Sequence, residues 1–324
     1  MLLRRRWFLC LAGLEACLAF ARTSFAQTYP SRTIRWIVPF PAGGTTDLVA
    51  RLMGQWLTQR LGQQVVIENR PGGGTNVGVE AVVSAPADGY TLLFTLATNT
   101  INPSLYKSLP FNFQRDIAPV AGLAELPLIM LVNPSVPVKT VSELIAYAKT
   151  DPSKMNFASF GARTISDLAI ELFQKSAGID FVRVPYLGDA PLLIDLVSGR
   201  VQAAVAALPD ALPHISAREV RAVALLSAER SPTLPNVPTV GETIPGFEIK
   251  AWTGVGVPRG TPTGVVGLLN REINAGLADP GIKARLARVG GVPFVCTPSE
   301  LGALIASDTA KWAKVIKQAG IEPQ

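Results

Sequence analysis

Apolar residues along this chain switch repeatedly between a run of four to six and a helical recurrence. Thr33 to Val38 is a β-branched and aromatic run that predicts a strand. Leu48, Leu52 and Trp56 then recur on one helical face, with Val49 and Met53 beside them. Thr45 or Thr46 is placed to cap that helix, and Asp47 falls in its first turn. Val65 to Glu68 predicts a second strand, a short helix runs through Val79 and Val82, and Tyr90 to Thr95 predicts a third strand. Strand, helix, strand, helix, strand implies right-handed crossovers and a parallel sheet.

A second series follows. Glu125 to Asn133 is an apolar run with Pro127 and Pro134, read as a strand crossing into a second domain. Thr140 and Glu143 have capping-box spacing and open a helix to about Lys149. Met155 to Ser159 predicts a strand ending in Phe160-Gly161-Ala162-Arg163. Ile165, Leu168, Ala169 and Leu172 mark the helix after it, with Thr164 and Asp167 again at capping-box spacing. Strands are predicted at Phe181–Tyr186, Val201–Ala206 and Arg221–Ser227, with a helix at 190–197. Phe247 to Val257 is extended and returns the chain to the first domain. Helices near Thr263–Leu277 and Gly281–Val289, a strand around Val292–Cys296 and a helix opened by Thr297-Pro298-Ser299-Glu300 complete it. The expected organisation is α/β, with residues 27–126 plus 249–324 in one domain and 127–248 in the other.

Both series share one device, an apolar strand ending in a small-residue turn that opens a helix. In the first, Pro41-Ala42-Gly43-Gly44 follows Phe40 with nothing bulky before Leu48. Unpaired N–H groups at a helix start carry partial positive charge and hold an anion without Lys or Arg. Such turns lie beyond the carboxyl ends of parallel strands, where ligands bind in open α/β sheets. Leu96 to Thr100, including Thr98 and Asn99, is read as a further loop on that edge. The Gly72–Gly74 run imitates a phosphate loop, but the P-loop Lys is absent, and it is read as a structural turn.

Composition narrows the chemistry. The apolar share is 48% and the charged share 17%, which supports a packed core. One His in 324 residues argues against a His-based metal site or catalytic triad. Arg4-Arg5-Arg6, the apolar Trp7–Phe20 and the small residues Ser24 and Ala26 read as an export signal cleaved after Ala26. Arg5-Arg6-Trp7-Phe8-Leu9 also fits a twin-arginine signal, whereas Glu15 spoils the lipoprotein box before Cys17. Without residues 1–26, which hold four Arg and one Glu, the formal charge falls from +6 to +3, too little to suggest nucleic acid. Cys296 is then the single remaining cysteine, read as a buried small apolar residue.

Several stretches together carry a resemblance. Tyr29-Pro30-Ser31-Arg32-Thr33-Ile34 and Val38 to Asp47 resemble the start of Bug-type receptors, the extracytoplasmic solute-binding proteins of tripartite tricarboxylate transporters. Glu68-Asn69-Arg70-Pro71-Gly72, Ala87-Asp88-Gly89-Tyr90, Ile101-Asn102-Pro103, Val184-Pro185-Tyr186, Leu212-Pro213-His214 and Val237-Pro238-Thr239 continue it in register. The resemblance implies a type II periplasmic binding protein fold with two α/β domains, a hinge and an interdomain cleft. It implies a small carboxylate ligand (a dicarboxylate, an amino acid or an aromatic acid), held by Phe40, Pro41, Ala42, Gly43 and Gly44 on one side. Gly161, Ala162, Arg163 and Thr164 face them, and Thr98 and Asn99 line the cleft. The implied partners are the membrane subunits of a transporter; no cofactor, metal or nucleic acid is expected, and the protein is expected to act as a periplasmic monomer.

Three positions depart from the family pattern. Arg163 replaces a small Asn- and Gly-containing stretch and either grips a carboxylate or points to solvent. Asp189 stands where Ser or Ala is common and either caps the following helix or accepts from a ligand ammonium or hydroxyl. Ala206, within Val205-Ala206-Ala207, leaves room for an apolar ligand end. The competing functions are a sensor for a membrane signalling partner and an enzyme on the same scaffold; the enzyme would need a nucleophile with a base, which one His and one Cys do not offer in any evident pairing.

Overall fold

In a computed structural model, the protein is described over residues 29–150, 155–288 and 290–323. The export signal at 1–26 lies outside them. The chain first runs β1 (Ile34–Val38), α1 (Thr45–Leu61), β2 (Val65–Asn69), α2 (Asn76–Val83), β3 (Thr91–Leu96), α3 (Thr98–Leu105), the single turn α4 (Phe113–Asp116) and β4 (Ile117–Glu125). It continues through β5 (Leu128–Val132), α5 (Val141–Thr150), β6 (Asn156–Ser159), α6 (Ile165–Ala177), β7 (Val182–Pro185), α7 (Asp189–Val197), β8 (Ala203–Ala207), α8 (Leu208–Ser216) and β9 (Arg221–Leu225). Last come β10 (Trp252–Pro258), α9 (Thr263–Ala278), α10 (Pro280–Arg288), β11 (Val292–Pro293) and α11 (Pro298–Gln318).

These strands form two sheets. One has the order β11-β4-β10-β3-β1-β2 and the other β7-β6-β8-β5-β9. β1 pairs parallel with β2 and β3, as the first crossovers require, and β10 returns antiparallel between β3 and β4. In the second sheet β6 pairs parallel with β7 and β8, while β5 runs antiparallel to β8 and β9. All of β3, β5 and β8 is buried, because strands covered on both faces become continuous apolar runs. The chain crosses between the sheets at Leu126-Pro127, and again between Ile249, whose N–H donates to the Leu226 carbonyl, and Trp252.

The expected elements recur with shifted ends, and the differences have physical causes. The crossing strand expected at Glu125–Asn133 is β5 alone, starting after the break at Leu126-Pro127, and β4 before that break is a strand the sequence reading did not include. The loop expected after β3 is instead helix α3, which contains Pro103. Its polar residues support it: Asn99 accepts the Leu96 N–H at 2.8 Å, and Asn102 donates to the Gly74 carbonyl at 2.8 Å. Helix α8 is an element the sequence reading did not include; His214 lies in its last turn. Thr297 and Glu300 make the full capping box expected of α11.

Candidate ligand-binding site

The two small-residue turns fold as one repeated corner. In the first, Gly44 is the N-cap of α1 with extended backbone, and Gly43 before it is left-handed at φ +93°. In the second, Thr164 is the N-cap of α6 with nearly the same backbone, and Arg163 before it is left-handed at φ +58°. Neither Thr45 nor Thr46 caps α1, and Thr164 does not cap α6 with its side chain: its hydroxyl donates back to the Gly161 carbonyl at 2.7 Å. The acid three residues into each helix closes the corner instead. Asp47 accepts the Gly43 N–H at 3.0 Å, and Asp167 accepts the Arg163 N–H at 3.0 Å.

Gly43, expected among the ligand-holding residues, thus gives its N–H to Asp47. The Asp47 carboxylate also takes Arg51 Nε at 2.8 Å and Asn69 Nδ2 at 3.1 Å. Burial pushes the Asp47 carboxyl up, but these three donors outweigh it and hold it below the ordinary range. Among the described residues, the N–H groups of Ala42, Gly44 and Thr46 meet no protein acceptor. Gly44 has open space where a Cβ would stand. The orphan donors of the α1 terminus are therefore Gly44 and Thr46 rather than Gly43.

Where the two lobes meet, two cavities open. The smaller, about 160 Å³, is walled by Phe40, Pro41, Ala42, Gly44–Thr46, Thr98, Ile165, Asp189, Ala207, Asp210 and Trp252. The larger, about 400 Å³, takes in Gly72–Thr75, Tyr106, Gly161–Thr164, Asp167 and Arg183. Both share Phe40 and Phe160, whose rings meet edge to face at 5.9 Å between centroids. Among the described residues, no Lys, Arg or His lies on the wall of the smaller cavity. Apart from Trp252 and Thr253 of β10, its polar side chains come from four helix starts: α1, α3, α7 and α8. Thr98 of the first lobe accepts the Ile165 N–H of the second at 3.3 Å, so the α3 and α6 starts are joined across the cleft. Trp252 is steadied by its Nε1–H donating to Asp308 at 2.7 Å.

The predicted residues separate accordingly. Phe40, Pro41, Ala42, Gly44, Thr98 and Asp189 stand together on the smaller cavity. Gly161, Ala162, Arg163 and Thr164 line the larger one. Gly43, Asn99 and Ala206 line neither. Gly43 spends its N–H on Asp47, and Asn99 is buried, donating to Thr75 at 2.9 Å. Ala206 is fully buried within β8; its neighbour Ala207 lines the cavity instead. The Arg163 guanidinium lies 4.6 Å from the Tyr106 ring centroid, a cation–π contact between the lobes. Asp189 is not an N-cap: Gly188 is, and the Asp189 carboxyl accepts the Ala207 N–H at 3.0 Å.

Sequence reasoning missed Asp210. It sits in the first turn of α8, after the carboxyl end of β8, and accepts the Thr45 N–H of the opposite lobe at 3.3 Å. The Asp189 and Asp210 carboxyls also hydrogen-bond each other. Burial and the neighbouring Asp210 charge push Asp189 well above the carboxylate range, and burial also raises Asp210. Asp189 is pushed up the more strongly of the two, so it is the one that holds the proton of their mutual hydrogen bond. The same strand-end position that marks the two turns was the available signal.

Two α/β lobes joined by paired crossings, with a cavity at their strand ends, define a type II periplasmic binding protein. Residues 49–321 match the tripartite tricarboxylate transporter family receptor model. The chain belongs to this receptor family. Protein BugT of Bordetella pertussis is 36% identical over 97% of this chain and 95% of its own length. An R. palustris protein solved with adipate is 36% identical, with TM-score 0.88, over 91% of this chain and all of that one. MatC from Rhodopseudomonas palustris, with bound malate, is 32% identical, with TM-score 0.84, over 89% and 100%.

Proposed function

We propose that the chain is a periplasmic receptor that captures a small carboxylate in the smaller cavity and presents its closed form to the membrane subunits of a tripartite transporter. The observation that carries this reading is the pair of orphan donors, Gly44 and Thr46 N–H, at a helix start on a cavity with no Lys, Arg or His among its described lining residues. Phe40, Pro41, Ala42 and Thr98 shape the wall around them. The adipate- and malate-bound relatives support a carboxylate ligand. Residues 27–126 with 249–324 form one moving body in this reading, and 127–248 the other. Neither body alone surrounds the cavity, so ligand favours closure by differential contact. Export removes residues 1–26, leaving the receptor free in the periplasm.

The groups an enzyme would use are engaged otherwise. The buried Cys296 thiol takes the Gly122 N–H at 3.1 Å, and burial pushes it up, away from thiolate. His214 meets Glu219 at 2.6 Å, outside both cavities. Mass spectrometry of ligand released from natively purified protein, followed by calorimetry with that compound, tests the proposal. A carboxylic acid bound without turnover is expected. A compound lacking a carboxylate, or its chemical conversion, would contradict it.

A further inference from the structure

Among its described residues, the smaller cavity holds two acids and no base. Asp189 reaches it from the start of α7 and Asp210 from the start of α8, and each has one oxygen on a backbone N–H: Ala207 for Asp189, Thr45 for Asp210. The Thr45 contact spans the lobes, so a carboxylate of the second lobe already occupies part of the α1 terminus, the positive end meant for an anion. The remaining orphan donors, Gly44 and Thr46, suffice for one ligand carboxylate.

We propose that the Asp189–Asp210 pair sets the specificity of the cleft, admitting small monocarboxylates that carry an ammonium or hydroxyl group at their other end and turning away dicarboxylates. This inference rests on the carboxylate-receptor reading above. Two carboxyls have more acceptor sites than the two N–H groups and their mutual hydrogen bond consume, so a ligand donor finds a ready partner. A mutual hydrogen bond needs one proton between two carboxyls, which leaves the second carboxyl free to ionise. A second ligand carboxylate would meet that charge with no Lys, Arg or His among the described wall residues to offset it. Specificity then comes from a repulsive element as much as an attractive one. Adipate and malate, bound by the two relatives, belong to the class this pair rejects.

Two isosteric series test the proposal by calorimetry at neutral pH. One is adipate, 6-aminohexanoate, 6-hydroxyhexanoate and hexanoate; the other is succinate, 4-aminobutanoate, 4-hydroxybutanoate and butanoate. The expected result is that, in whichever series fits, the amino or hydroxy acid binds at least tenfold more tightly than the dicarboxylate. Which of the two leads separates a charge preference from a hydrogen-bond preference. Asp189→Asn and Asp210→Asn should shrink that ratio or invert it toward the dicarboxylate, with thermal unfolding confirming that both variants fold. A dicarboxylate bound as tightly as its amino and hydroxy analogues by the wild type overturns the proposal and leaves the receptor reading standing. No binding by any member of either series, together with a non-carboxylate ligand released from native protein, overturns both.

Discussion

Val38–Asp47 and Ser159–Asp167 turn the chain from a strand into a helix through the same backbone, built from different residues. The first places Gly at the left-handed position, and the second places Arg163 there. The first anchors its acid with three strong donors: Gly43 N–H, Arg51 and Asn69. The second has one such donor, Arg163 N–H at 3.0 Å, with Ser159 and Arg183 at 3.5 and 3.4 Å. The first corner is thus the firmer, and it keeps its orphan N–H groups facing the smaller cavity. The second gives its turn residues to the larger cavity and to contact with the opposite lobe. A shared local device does not dictate a shared role; what surrounds each turn decides which N–H groups stay open.

The largest expected effect separates the two anchors. Asp47→Ala leaves three donors without their acceptor and should destabilise the protein by about 2 kcal/mol. Asp167→Ala, with weaker and more exposed contacts, should cost about half that in denaturant unfolding. Equal losses would show that the two corners are energetically alike.

Next is the meeting of the lobes at Gly74. A Cβ there would stand 2.7 Å from Tyr106 Oη, 3.2 Å from the Arg163 carbonyl and 3.3 Å from the Ala162 carbonyl. Gly73 is also left-handed, but its Cβ would meet only Asn76 and Val77 of its own lobe. Gly74→Val should weaken ligand binding about tenfold or more, roughly 1.4 kcal/mol, while Gly73→Val, equally strained, leaves affinity near wild type. Matching losses would mean that strain, not lobe contact, is responsible. The run read from sequence as a structural turn is thus also a contact between lobes.

At the left-handed position, Arg163→Gly and Arg163→Ala both lose the Tyr106 contact, so their difference isolates the backbone. The Gly variant should be the more stable by about 1 kcal/mol. No difference would mean that Arg163 carries no strain.

The smallest effect concerns Asp189. Well below pH 4, about the ordinary carboxyl value, it is protonated folded and unfolded and costs little. As pH rises toward its elevated folded value, the unfolded chain loses the proton more readily, and the native state loses stability. Asp189→Asn keeps an acceptor for Ala207 and supplies a donor for Asp210 without titrating. It should stabilise the unliganded protein by up to about 1 kcal/mol at pH 7, with the gain shrinking away as pH falls below about 4. A constant difference across that range would contradict the shared proton.

Much of the fold was legible because strands buried on both faces read as uninterrupted apolar runs, and because capped helices announce their starts. Thr297 with Glu300 is such a case. What sequence hid was settled by distant partners. α3 looked like a loop because Thr98, Asn99, Thr100 and Pro103 are poor helix formers; contacts to Gly74 and Asn76 override that preference. Gly43 seemed the natural anion donor, yet the acid four residues on takes its N–H. Asp210 was hidden in a Leu-Pro-Asp stretch that reads as a turn, and its partners, Asp189 and Thr45, come from α7 and from the other lobe.

The claim at the centre of this account is that the two lobes close on one ligand held at the α1 corner. Small-angle scattering on protein stripped of ligand, then saturated with the acid recovered from native protein, tests it most directly. The radius of gyration should fall on saturation, and the liganded curve should match the closed arrangement in which Thr98 meets Ile165 and Arg163 meets Tyr106. Identical curves with and without ligand would contradict it.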